Sequence, residues 1–389
     1  MDHQHEHRQL YDRLDRPGSL AKAESIYPET SVRGNDHPAS DPVSSRANRW
    51  RRSVHADTCA AEYAATPLEN QPFINKMKIF QFRAMNSDIV LLAEGYSQTR
   101  IDAGFQAIKA YIESSERKFT RFSEESELSR MNRSTGKWFH ASAEMFTIMR
   151  EAQVYYRKAG GLFDPSILSN LLRIGYTCSM DELRRFGADP EPAGRLMSKP
   201  PAFGSIQFDE SSHGIFLPAD LHVDLGGLAK GWVAGQAAQI LSEYSSACAV
   251  SAGGDMVLTG HPDGRDFWEV ALEDPRDANL DLTILQVGEG AVATSSTIRR
   301  VWQQGGSKRH HLIDPHTGEP ALPKWISVTV IAPNISAAEV FAKAFLLAGP
   351  SQTSQMLTEN PELTCLAVDS SGIIWDLSTN REYQCQPVI

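Results

Sequence analysis

No stretch of this sequence approaches the ~20 consecutive apolar residues that a membrane-crossing helix needs, so no membrane span is expected. Positive charge is also short: 38 Lys and Arg stand against 48 Asp and Glu, a formal net charge of −10. That balance argues against a nucleic-acid partner, because phosphate backbones are held by clustered cations, and Arg49, Arg51 and Arg52 make only a short basic cluster. Cysteine is scarce. Cys59, Cys178, Cys248, Cys365 and Cys385 are widely spaced, odd in number and contain no C-x-x-C, which fits a reducing compartment. The opening MDHQHEHRQLYDRLDRPG has no hydrophobic core of a secretory signal and no lipobox, so a cytoplasmic location is expected. No repeat at a solenoid period occurs.

What is present is enough for a sizeable core: 389 residues with 41% hydrophobic content allow one large or two ordinary domains. Residues 1–75 are rich in Arg, Asp, Ser, His and Pro, lack periodicity, and read as a disordered extension. His3, His5 and His7 in it fit an exposed tail better than a metal site. At Met77, an alternative start, the chain changes to KIFQFRAMNSDIVLLAEG, alternating and then apolar like strands, so the folded domain is taken as 76–389. Helical spacing runs over 101–119 (Phe105, Ile108, Ile112) and 141–159, the second ending at Gly160-Gly161, a C-cap signal. Strands are expected at 205–209, 214–218, 247–254, 267–274, 282–287 and 326–333, and another helix runs through Val233, Ala237, Ile240 and Leu241. Strands mixed with helices, without regular β-α alternation, imply an α+β domain.

Several segments could carry chemistry. HVDLGGLAKGWVAGQ (222–236) sets an acid and two glycines before a helix opening with Lys230, an arrangement suited to phosphate through backbone N–H groups, helix dipole and a point charge. Gly-Gly before a helix serves equally as tight packing, and the spacing is not that of a Walker A loop. SAGGDMVLTG (251–260) reads as a glycine turn or a backbone approach to a flat ligand. GGLFDPSI (160–167) reads as a turn. HHLIDPHTGEP (310–320) holds His311 beside a rigid D-P turn, which makes it a binding or catalytic candidate. AVATSSTIRRVW (291–302) offers Thr294, Ser295 and Ser296 as loop hydroxyls. AAEVFAKAFLLAG (337–349) is a greasy helix with one acid, Glu339, and one base, Lys343, four residues apart on one face.

Taken in order, RFSEESELSRMN, GLFDPSI, VDLGGLAKG, SAGGD, ATSS, HLIDPHTG and SVTVIAPNISAAEVFAKAFLLAG resemble the motifs of the ApbE family of FAD:protein FMN transferases over 80–350. The resemblance implies an ApbE-like fold, mostly antiparallel sheets flanked by helices, with an FAD site in a central cleft. It implies FAD as substrate with Mg²⁺ on its diphosphate, AMP as product, and an acceptor flavoprotein bearing a Ser or Thr target. By similarity, Met85, Phe122, Leu162, Phe163, Asp164, Asp224, Lys230, Thr294, Ser295 and Leu312 bind the dinucleotide. His311 is the catalytic candidate, and Gly227 (carbonyl), Glu339 and Lys343 match the metal positions.

Two departures stand out. The family's M-G-T is Met85-Asn86-Ser87 here, and its Asp and Thr on the last metal-binding helix match Glu339 and Lys343. Glu moves the carboxylate outward, and a protonated Lys cannot ligate a metal. As a plain surface pair these two would contribute only about 0.2–0.5 kcal/mol, but Leu346 and Leu347 flank their face, which favours a remodelled metal site. Three functions therefore compete: the transferase, an FAD-binding protein with a remodelled and metal-free site, and an FAD pyrophosphatase giving FMN and AMP. After Gly349, LTCLAVDSSGIIWDLS reads as two strands joined by a Ser-Gly turn.

Overall fold

The computed structural model describes residues 77–188, 202–379 and 381–382; the extension expected at 1–75 lies outside the described residues. The described chain opens with a hairpin, β1 (Lys78–Ala84) and β2 (Ser87–Glu94), whose two-residue turn places Met85 and Asn86 at φ 51° and 55°. Both central residues at positive φ give the turn that follows strand twist, a conformation cheap for glycine and costly for Met. The Met85 N–H is held there by the Glu116 carboxylate at 2.8 Å.

Helix α1 (Gln98–Phe119) starts where Ser97 accepts from the Arg100 N–H, and it buries Ile101, Phe105, Ile108 and Ile112 on one stripe. Arg117 and Lys118 in its last turn complement the helix dipole. Short α2 (Glu127–Asn132), strand β3 (Trp138–His140) and helix α3 (Ala143–Lys158) come next, the last stopping at Gly160 and Gly161 with φ 58° and 81°. They lead to α4 (Leu168–Arg173), α5 (Met180–Phe186), β4 (Gln207–Asp209), β5 (Gly214–Phe216) and α6 (Ala229–Ser242). Strands β6 (Ala247–Ala252), β7 (Asp255–Thr259), β8 (Trp268–Glu273), β9 (Asp281–Val287), β10 (Gly290–Ser296), β11 (Val301–Gln304), β12 (Ser307–His310) and β13 (Ser327–Ala332) run consecutively. The chain closes with α7 (Ile335–Leu347), α8 (Pro350–Glu359), β14 (Thr364–Val368), β15 (Ile374–Asp376) and β16 (Arg381–Glu382).

The main sheet has nine strands in the order β1-β2-β6-β7-β10-β13-β14-β15-β16, every pair antiparallel. A three-stranded sheet (β3-β5-β4) and the hairpins β8–β9 and β11–β12 stand beside it. Helices α6 and α7 touch each other and pack on β6, β10 and β13, with α1 against α6 and β1. That packing explains why α7 is apolar on nearly every side: it buries eleven residues, among them Ala338, Val340, Phe341, Ala342 and Phe345, each 1% exposed or less. The α+β class and the antiparallel architecture are as expected. Sequence patterns do not reveal α8, nor the strand β10, whose Thr294 and Ser295 read as loop hydroxyls. The segment after Gly349 also belongs to the main sheet, through β14 to β16, and is no appendage.

Candidate functional site

One cleft gathers most of the candidate residues. Its wall comes from the β1–β2 turn (Met85, Asn86), the C-terminal end of α1 and the loop leaving it (Phe119, Arg121, Phe122), and Leu162 to Pro165. Asp224 to Gly227, Lys230, Arg300, His311, Leu312, Lys343 and Leu347 complete it. Thr294, Ser295 and Glu339 are not on the wall.

The apolar end is built by Leu162, Phe163 and Leu312, all buried, and by Phe122, a residue 44% exposed. Asp164 caps the turn beside them, accepting from the Ser166 N–H at 2.8 Å and its hydroxyl at 2.6 Å. Behind Phe122 stands Arg121, its guanidinium 4.3 Å from the Phe122 ring and 4.5 Å from that of Tyr176. Arg121 Nε meets Asp224 Oδ2 at 2.7 Å, and Nη2 donates to the Tyr176 carbonyl. Asp224 Oδ1 accepts from the Gly226 N–H at 2.7 Å, so the acid shapes the Gly226-Gly227 turn. A flat ring can lie against this wall, with Phe122 free to stack.

The other end is ionic. Lys230 Nζ lies 2.9 Å from Asp255 Oδ2 and 3.2 Å from Glu339 Oε1, in a side chain only 10% exposed. Burial pulls its pKa down, but the two carboxylates more than offset this and hold it above its ordinary value. Glu339, 2% exposed, also meets Lys343 Nζ at 3.3 Å, and its Oε2 accepts from the Gly231 N–H at 2.9 Å. Burial alone would raise the Glu339 pKa; the lysines and that N–H bring it below the ordinary carboxylate range instead. The anion at the start of α6 is thus the protein's own. Gly231 allows it, since a Cβ there would stand 2.5 Å from Glu339 Oε2. Lys343 completes the cluster by donating to the Glu339 carbonyl at 3.0 Å.

His311 lies directly after β12, just before the Asp314 turn closed by the Gly318 N–H. Its Nδ1 is buried and meets no partner among the described residues. Burial, then the charges of Arg300, Lys343 and Lys230, push its pKa well below the ordinary value. The ring is therefore neutral at neutral pH and able to accept a proton.

The pattern of one known family, described as the ApbE family, matches residues 85–367. The chain belongs to the ApbE family. A FAD:protein FMN transferase from Klebsiella pneumoniae is 32% identical over 142 residues, covering 36% of this chain and 41% of that protein. One from Treponema pallidum is 26% identical over 242 residues, covering 58% and 65%. Against both, the chain spans less than two thirds of the relative's length. The crystal structure of the ApbE protein from Thermotoga maritima superposes with a TM-score of 0.68 at 24% identity, covering 79% of this chain and all of that one, which shows the fold.

The ApbE resemblance implies a metal at Gly227, Glu339 and Lys343, and these residues do not fit one. Both Glu339 oxygens are engaged, Lys343 offers an ammonium in place of a lone pair, and no group of three His, Cys, Asp or Glu suited to an ion occurs among the described residues. A second revision concerns Thr294 and Ser295. Both lie in β10, where the Thr294 N–H donates to Asp255 Oδ1 at 3.1 Å and its hydroxyl pairs with that of Thr329 at 2.8 Å. Ser295 is 7% exposed. They brace Asp255 and the sheet. The Gly253-Gly254 pair (φ 67° and 101°) forms the β6–β7 turn and does not line the cleft.

Sequence reasoning misses Arg121, Tyr176 and Arg300. Arg300 stands in the segment notable for its hydroxyls, and it occupies φ 53°, uncommon for a residue other than glycine. An Arg soon after a T-S-S run, in a cleft already holding two lysines, is visible only once β10 to β12 are folded around it.

Proposed function

We propose that this chain is a FAD:protein FMN transferase, moving FMN from FAD to a Ser or Thr hydroxyl of an acceptor flavoprotein and releasing AMP. The observation that carries the reading is the pairing, in one cleft, of an aromatic wall with a cationic end that holds a neutral His311. The isoalloxazine would lie against Phe122, Phe163, Leu162 and Leu312, with the Asp224-held Gly226-Gly227 turn beside the diphosphate. The acceptor oxygen bonds to the phosphorus on the FMN side while its proton passes to His311. The bond from that phosphorus to the bridging oxygen breaks, and AMP leaves with that oxygen. Lys343, Lys230 and Arg300 favour the charge that gathers on the leaving phosphate.

A binding-only reading has one observation in its favour, the Glu339 carboxylate already committed to protein donors. The free thiols Cys178, Cys248 and Cys365 support a reducing compartment for either reading, in line with the cytoplasm. Incubating the protein with FAD and a large excess of a Thr-containing peptide separates the possibilities by mass and chromatography. Transfer gives AMP together with a peptide heavier by one FMN residue, and His311→Ala should lose the adduct while still binding FAD. AMP with free FMN and no adduct would mark a pyrophosphatase. Bound, unchanged FAD would leave binding alone.

A further inference from the structure

We propose that Lys343 stands where a divalent cation would be needed, so that this cleft, with Arg300 and Lys230, takes up a nucleotide diphosphate without any metal. The inference rests on the flavin-dinucleotide reading above and goes beyond it by fixing how the diphosphate charge is met.

Three observations carry it. First, Lys343 is held in place. Its stem runs along the Gly226-Gly227 turn, so closely that a Cβ on Gly227 would lie 3.3 Å from Lys343 Cε. The ammonium is fixed by Glu339 Oε1 at 3.3 Å and the Glu339 carbonyl at 3.0 Å, both on its own helix. It lines the cleft, whereas Glu339 sits beneath it. Second, the cationic charge exceeds the carboxylate charge. Lys230 and Lys343 are matched by Asp255 and Glu339, and Arg300 stands outside that balance. Third, Arg300 lines the same cleft, near enough to act on both His311 and Lys230, and meets no carboxylate among the described residues. A guanidinium and an ammonium facing one cavity are the usual means of holding phosphate oxygens. The same ammonium repels a divalent ion, and Glu339, the carboxylate at the matching metal position, is already bound on both oxygens.

Calorimetric titration of FAD and, separately, of ADP, each in EDTA and in Mg²⁺, tests this on the full chain. ADP carries the diphosphate but no flavin. The expected result is that the wild-type affinity for each is the same in both buffers within about twofold. Lys343→Met should weaken both ligands about tenfold or more in EDTA, and Arg300→Gln should weaken them severalfold. Lys343→Gln, which keeps the side-chain length, serves if the Met variant does not fold, with circular dichroism as the check. Wild-type binding that weakens about tenfold or more on adding EDTA overturns the inference, as does metal-free binding that neither Lys343 variant disturbs. Metal-free ADP binding with no FAD binding would keep the diphosphate site and remove the flavin reading. Failure of both ligands in both buffers would remove both.

Discussion

On α1, Lys109 and Glu113 face each other four residues apart, 3.9 Å between charges, with side chains 41% and 45% exposed. On α7, Glu339 and Lys343 have the same separation, 3.3 Å between charges, but exposures of 2% and 16%. In sequence the two pairs differ by order and neighbours. In the fold they differ by an environment. The α1 pair lies on the wet face of a helix whose apolar stripe points the other way, where ion pairs are worth little. The α7 pair lies between that helix and α6, where charges taken out of water must be paired and the loss of one partner is felt by the rest.

The largest effect should come from removing the shared carboxylate. Glu339→Ala leaves two largely buried lysines with only Asp255 between them and removes the acceptor of the Gly231 N–H. Breaking a buried ion pair this way costs about 3–5 kcal/mol, readable as a fall in denaturant midpoint; a midpoint like that of the wild type would show that water reaches the cluster. Gly231→Ala attacks the same contact from the other helix. Its methyl would meet Glu339 Oε2, so the carboxylate must move and its bond to the N–H lengthens or breaks, at a cost of about 1–3 kcal/mol. The two substitutions should not add, because the second has nothing left to displace once Glu339 is gone.

Next in size is a pH effect. Because the His311 pKa is depressed, its base form persists well below the ordinary value of 6.5, and the acid limb of the transfer profile should lie below that pH. Lys343→Met removes one of the charges holding it down, so the limb should move up toward the ordinary value; profiles that coincide would mean that the Lys343 charge does not act on the ring. The same shift bears on stability. Below about pH 6.5 the unfolded chain takes up a proton that folded His311 refuses, so stability falls as pH drops from there toward the folded pKa. Glu339, depressed in the folded state, adds to this lower down: its contribution is full above its ordinary 4.5 and fades as pH falls through the folded value.

The legible and illegible parts of the molecule divide along the same line. Helices α1, α3 and α6 and most strands announce themselves by period, and the aromatic wall by motif, because local pattern decides them. The D-P turn beside His311 is equally local. What escapes the sequence is set by contacts distant along it. Lys230 reads in sequence as a lone cation at a helix start, and its two carboxylate partners, Asp255 and Glu339, 25 and 109 residues away, are brought to it only by the fold. Arg121 gives no signal because its partner, Asp224, arrives from a different loop. Thr294 and Ser295 read as loop hydroxyls because their strand character comes from pairing with Thr329 and Val328 of β13, over thirty residues away, and the T-S-S run shows no alternation of its own.

The smallest expected effect is the control that gives the comparison its meaning. Lys109→Ala and Glu113→Ala should each shift stability by less than about 0.5 kcal/mol, and the double variant by no more than their sum. Here Lys precedes Glu, the less favourable order along a helix dipole, and alanine returns helix propensity for whatever attraction is lost. Screening sharpens the contrast further: raising the salt should erase what remains of the α1 pair while leaving the α7 cluster, whose Glu339 side chain is 2% exposed, nearly unchanged. If melting instead showed the two pairs equally costly to break and equally sensitive to salt, burial would not be what separates them, and Lys343 would be an ordinary helix lysine with no claim on a ligand.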